Sequence, residues 1–225
     1  MGLPDPLQKN AMPSNVLLSL FAFSAASIVF IMTPGLDTAI VLRSCTRGHK
    51  AGLFAALGIC LGLLIWGCAA AFGVTALLTA SHVAFTALKW IGAAYLFYLG
   101  FKLIVRPRTS IVQSASSPTR SRKADGAWNA FRRGFLSDML NPKVGVFYMT
   151  FLPQFIPAGA NVAEFSLLLA IIQFVIALTW FSILVALTVP VGRFLANPKV
   201  LRWMDRVTGA VFFAFGAKLA LDHAE

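Results

Sequence analysis

Two short stretches carry the residues that could do chemistry. One is Thr33-Pro34-Gly35, with Asp37 three residues past the proline; the other is Asn141-Pro142-Lys143, with Asp138 just before it. Proline has no amide proton and clashes with the preceding turn, so it ends one helix or opens the next. Thr or Asn before proline suits a helix start, because the side-chain oxygen caps free amides and proline occupies the first helical position. The two stretches therefore predict half-helices that begin at Pro34 and Pro142. Such starts present unbonded amides and a partial positive charge, and they bind carboxylates. Asp37 and Asp138 add an acceptor for an ammonium group or a proton, and Lys143 adds a counter-charge.

The elements that must position these residues are apolar. The chain of 225 residues is 58% apolar and only 12% charged, and its mean hydropathy is +0.78. A soluble domain needs more polar surface than that. Six runs approach the roughly 20 residues that a bilayer core demands: 16–42 (interrupted at 33–35), 51–78, 83–105, 134–153, 164–190 and 205–221. The expected class is an all-α membrane protein with six transmembrane helices. Backbone opened inside lipid is tolerated only where protein or a water-filled cavity surrounds it. An intramembrane charge costs several kcal/mol and faces a bundle interior.

The formal charge of +11 raises nucleic acid as a partner, but its distribution argues against that. Most basic residues lie in three connections: Arg43 to Lys50, Lys102 to Arg133, and Arg193 to Arg206. By the positive-inside rule these connections are cytoplasmic and both termini face out. The nearly neutral N-terminal tail does not read as a cleaved signal peptide. Cys45, Cys60 and Cys68 have no paired spacing, and neither they nor the histidines form a metal-ligand cluster. No nucleophile triad or P-loop is present, so no cofactor is expected and active transport would draw on an ion gradient.

The chain also suggests a duplication. Gly92–Leu103 (GAAYLFYLGFKL) and Gly209–Ala220 (GAVFFAFGAKLA) share Gly-Ala, an aromatic stretch and Gly-x-Lys-Leu, while Pro34 is matched by Pro142. Residues 1–105 and 131–225 read as two three-helix repeats, each with a broken first helix. The Ser-, Arg- and Lys-rich segment 106–130 between them reads as a cytoplasmic linker. Three crossings per half invert the second copy, a plan used by secondary transporters. Gly48, Gly52, Gly58 and Gly62 read as close-packing positions.

Together, Thr-Pro-Gly-x-Asp, RGHKAGLFAALGICLG, KWIGAAYLFYLGFKL and GFLSDMLNPKVGVFYMTFLPQF resemble the lysine exporter / homoserine–threonine exporter (LysE/RhtB-type) family, in detail from about Ser27 to Phe155. The resemblance implies a bacterial inner-membrane exporter of amino acids driven by the proton gradient. Its pattern falls on Pro34, Gly35 and Asp37, and on Asn141, Pro142 and Lys143. Leu36 stands where the family usually has a second proline.

The expectation is a secondary exporter, not an enzyme, that takes neutral amino acids. Thr33, Pro34, Gly35, Asp37, Asn141, Pro142 and Lys143 would bind substrate, and Asp37 and Asp138 would couple to protons. A homo-oligomer is compatible with the sequence. The alternative is a small membrane enzyme or lipid-handling protein that uses Asp37 and Asp138 as an acid/base pair. The lack of a nucleophile or metal cluster counts against it.

Overall fold

The structure is a computed structural model that describes residues 6–80, 82–108 and 126–221. All regular structure among the described residues is helical, with no strand. Most of the expected linker, residues 109–125, lies outside the described residues, as do the chain ends.

The first apolar run makes α1 (Pro6–Met32) and α2 (Leu36–Cys45). Thr33 closes α1 and does not open the next helix. Its amide bonds to the Val29 carbonyl at 3.1 Å and its hydroxyl donates to the same oxygen at 2.6 Å. Gly35, in an extended conformation, is the N-cap of α2. The second half-helix thus begins at Leu36, two residues later than the proline rule predicts. The reason is the Thr hydroxyl, which bonds backward to a carbonyl of its own helix.

α3 (His49–Ala80) and α4 (His82–Val105) follow. The fourth apolar run is broken more severely, into α5 (Ala127–Met139), a turn at Leu140-Asn141, and α6 (Pro142–Val146). α6 then widens into a π turn (Phe147–Phe151) and tightens into a 3-10 turn (Leu152–Phe155). α6 does begin at Pro142, with Asn141 Oδ1 accepting from the Lys143 amide at 3.1 Å. The fifth run divides into α7 (Val162–Ala186) and α8 (Thr188–Leu195). Pro190 has no amide for the Ala186 carbonyl, and the Thr188 hydroxyl bonds back to Leu184 and Val185 carbonyls at 3.1 and 2.7 Å. α9 (Pro198–Leu221) closes the described chain.

Among the described residues, three helical stretches are long and apolar enough to cross a membrane: Asn15–Met32, His49–Gly73 and Val162–Ala186; Trp90–Val105 is a shorter apolar stretch within α4. The last expected run lies in α9, whose first half carries Lys199, Arg202, Asp205 and Arg206. The fourth is cut at Asn141 and carries Asp138 and Lys143.

Glycines set the tightest seams. α3 and α5 run side by side in the same direction. A Cβ on Gly58 would lie 2.1 Å from the Phe131 carbonyl, and one on Gly134 would lie 2.2 Å from the Ala55 carbonyl. α4 and α9 run antiparallel, with Gly100 against the Gly209 carbonyl and Gly216 against the Ala93 carbonyl. Between lipid-exposed helices this close approach is itself the source of dispersion attraction. The centre is aromatic. Phe30 meets Phe147 at 4.1 Å between ring centroids, and Phe151 meets Phe215 at 4.4 Å.

Candidate functional site

The two breaks meet. Asn141 Nδ2 donates to Asp37 Oδ2 at 3.3 Å, which joins the capping residue of α6 to the first turn of α2. The other Asp37 oxygen, Oδ1, is buried without a hydrogen-bond partner. Around them lies a cavity of about 180 Å³, far above the roughly 10–15 Å³ that one water occupies. Thr33, Gly35, Asp37, Asn141 and Lys143 line it, with Leu36, Thr38 and Arg108. Phe30, Ile31, Ile59, Leu63 and Phe181 give it an apolar side.

Lys143 reaches the site for a reason rooted in the first break. Pro34 has no amide proton, so the Phe30 carbonyl four residues earlier lacks its helical donor. Lys143 Nζ donates to that carbonyl at 3.1 Å and sits 4.2 Å from the centroid of the Phe30 ring. The ammonium is thus held by an orphaned carbonyl and an aromatic face. It makes no direct ion pair with Asp37, contrary to the pairing that the sequence suggests.

The two helix starts differ. No side chain caps the first turn of α2, so its leading amides lack an acceptor in the helix. At α6 the Lys143 amide is taken by Asn141 Oδ1, and the Val144 and Gly145 amides are taken by the Asn141 carbonyl. Pro142 does not line the cavity. It faces a separate apolar pocket of about 590 Å³ beside Trp66, Ile91 and Tyr95. Pro34 is buried outside the cavity lining and acts by opening the backbone.

Asp138 also lies off the cavity. It is wholly buried on α5 and packs against Gly62, where a Cβ would come within 2.4 Å of its Oδ2. Neither of its oxygens has a hydrogen-bond partner. The nearby cavity holds Asp37 and not Asp138, so the two carboxyls do not share one chamber as an acid/base pair would require.

Sequence reasoning missed Arg108, Asp205 and Thr208. Arg108 lies three residues past α4, lines the cavity, and binds the wholly buried Asp205 through Nε at 3.0 Å and Nη2 at 2.5 Å. Thr208, one turn after Asp205 on α9, is in hydroxyl contact with Thr33. These partners sit 97 and 175 residues apart, and no local spacing marks them. The only available signal is that Asp205 is a carboxyl at the edge of an apolar run.

A model of the LysE type translocator family matches residues 28–223. The chain is 33% identical to the uncharacterized membrane protein YrhP of Bacillus subtilis, over 90% of this chain and 99% of that protein. It is 30% identical to the uncharacterized membrane protein PA4757 of Pseudomonas aeruginosa, over 93% and 98%. It is also 30% identical to a leucine efflux protein of Salmonella typhimurium, over 91% and 95%. No solved structure matches. With its family pattern spanning nearly the whole chain and its two broken helices meeting at a polar cavity, this integral membrane protein belongs to the LysE type translocator family.

Proposed function

We propose that the chain exports a neutral amino acid with an apolar side chain in exchange for protons across a bacterial inner membrane. The observation that carries this reading is the cavity between the breaks, with an unpartnered Asp37 oxygen on a wall shared with apolar side chains. The substrate ammonium meets Asp37. Its carboxylate meets the uncapped first turn of α2, where the macrodipole favours negative charge. Its side chain lies against Phe30, Ile59, Leu63 and Phe181. Thr33, Gly35, Asn141 and Lys143 complete the polar wall, while Pro34 and Pro142 shape the backbone around it. The similarity to proteins named leucine efflux proteins supports a branched aliphatic substrate.

Asp138 carries the coupling proton, with Asp37 exchanging its own proton against substrate. The burial of Asp138 without a hydrogen-bond partner supports this, since a carboxyl there is far easier to hold neutral than charged. Two inverted three-helix repeats, residues 1–105 and 131–225, frame the site. The seam of α4 and α9 supports the duplication. Gly100 packs on Gly209 and Gly216 packs on Ala93, and Gly100 and Gly216 are the matched glycines of the two Gly-x-Lys-Leu stretches. The basic connections, including the linker 106–130, are cytoplasmic and both termini face out.

The test is efflux from cells loaded with leucine-containing dipeptides. Expression of the chain should lower internal leucine and raise external leucine, and a protonophore should abolish the difference. Equal leucine retention with and without the protein, across a panel of neutral amino acids, would refute the reading.

A further inference from the structure

The cavity wall holds a cation that neither helix break supplies. Arg108 donates its Nε and Nη2 protons to the two oxygens of Asp205, and its backbone amide donates to Asp205 Oδ2 at 2.7 Å. A guanidinium has five N–H donors in a rigid fork. Asp205 takes two of them, on the Nε–Nη2 edge. The Nη1–Nη2 edge is left over, on a side chain that is 26% exposed and lines the cavity. Asp205 itself is wholly buried on α9. A buried ion pair adds little net stability on its own account, but one that fixes a guanidinium beforehand lowers the entropy lost when a ligand arrives.

We infer that Arg108, oriented by Asp205, receives the carboxylate of the transported amino acid on its free edge. Arg108 is a substrate-binding residue and Asp205 its positioning residue. Lys143 cannot substitute for it, because its ammonium is a point charge already engaged by the Phe30 carbonyl and ring. The carboxylate then bridges the α2 amides and the guanidinium, while the ammonium stays on Asp37. This inference rests on the proposed function, since it presumes an amino acid in the cavity.

The test uses the full chain in liposomes, with L-leucine as substrate and 3-methylbutylamine, which is leucine without its carboxylate, as competitor. Arg108→Gln should raise the KM for leucine by about tenfold or more, the cost of one charge-assisted pair, and leave inhibition by the amine unchanged. Arg108→Lys keeps a cation beside Asp205 but has no second edge, so it should also raise the leucine KM alone. Exchanging the pair, Arg108→Asp with Asp205→Arg, rebuilds the ion pair but moves the fork, so the KM should stay high. Wild-type KM in the exchanged protein, or in Arg108→Gln, overturns this inference alone. A wild-type protein that carries no neutral amino acid overturns the proposed function together with it.

Discussion

At the residue scale the site depends on groups left partly unsatisfied. Asp37 has one long hydrogen bond and one buried oxygen without a partner, an arrangement that stability alone does not favour. Asp37→Asn should therefore leave folding intact and remove substrate binding. Losing a charge-assisted contact corresponds to about 10–100-fold in affinity, to be measured as leucine binding beside an unchanged unfolding temperature. Gly62 makes room for the Asp138 carboxyl. Gly62→Ala forces that group to move, and its expected effect is a loss of roughly 1–3 kcal/mol of stability, read by thermal unfolding in detergent. Asp37 and Lys143 were legible in the sequence because a charge inside an apolar run is rare. Arg108 was not legible as a cavity residue, because it looks like any other basic loop residue until α9 brings Asp205 to it.

At the element scale the sequence located both breaks and placed one helix start correctly. Asn141-Pro142 caps α6 as expected, while Thr33 bonds backward and leaves Gly35 to start α2. The same tripeptide, Asn197-Pro198-Lys199, caps α9 at an exposed position, with Asn197 Oδ1 accepting from the Lys199 amide at 2.9 Å. Asn-Pro-Lys therefore encodes a helix start, and only its surroundings turn the copy at 141–143 into a cavity wall. Gly52, Gly58 and Gly62 were legible as packing positions of α3, though not the helix that Gly58 and Gly62 pack against. Gly48, by contrast, has a φ of +119° and nothing within 4 Å of an added Cβ, so it turns the chain before α3 and packs on nothing. Gly58→Ala should cost roughly 1–3 kcal/mol, since its Cβ meets backbone atoms of α5 that cannot yield. Gly192→Ala, in α8 with nothing within 4 Å of the new Cβ, should instead stabilise by about 0.5–1 kcal/mol. Unfolding curves of the two variants side by side check the pair.

At the scale of the whole molecule, composition sufficed for the membrane and the helical class. Among the described residues, three stretches meet a simple length-and-hydropathy criterion, while Asn141-Pro142 cuts the fourth run and charged residues open α9. The orientation proposed from the basic connections has its own check. Single cysteines at Lys50 and Lys199, in a background lacking the native three, should react with an impermeant maleimide only from the cytoplasmic side, and one at Gly159 only from outside. Labelling of all three from one side would reverse or break the assigned topology.

Two interruptions so alike in sequence end up chemically unequal, for α2 keeps its leading amides open while Asn141 seals those of α6. The chamber between them consequently has three unlike walls: one of amide donors, one bearing a carboxylate, and one of hydrocarbon. Three unlike points of attachment distinguish an object from its mirror image. Under the proposed function, D-leucine could satisfy any two of them only by forfeiting the third, so the chamber would favour the L form.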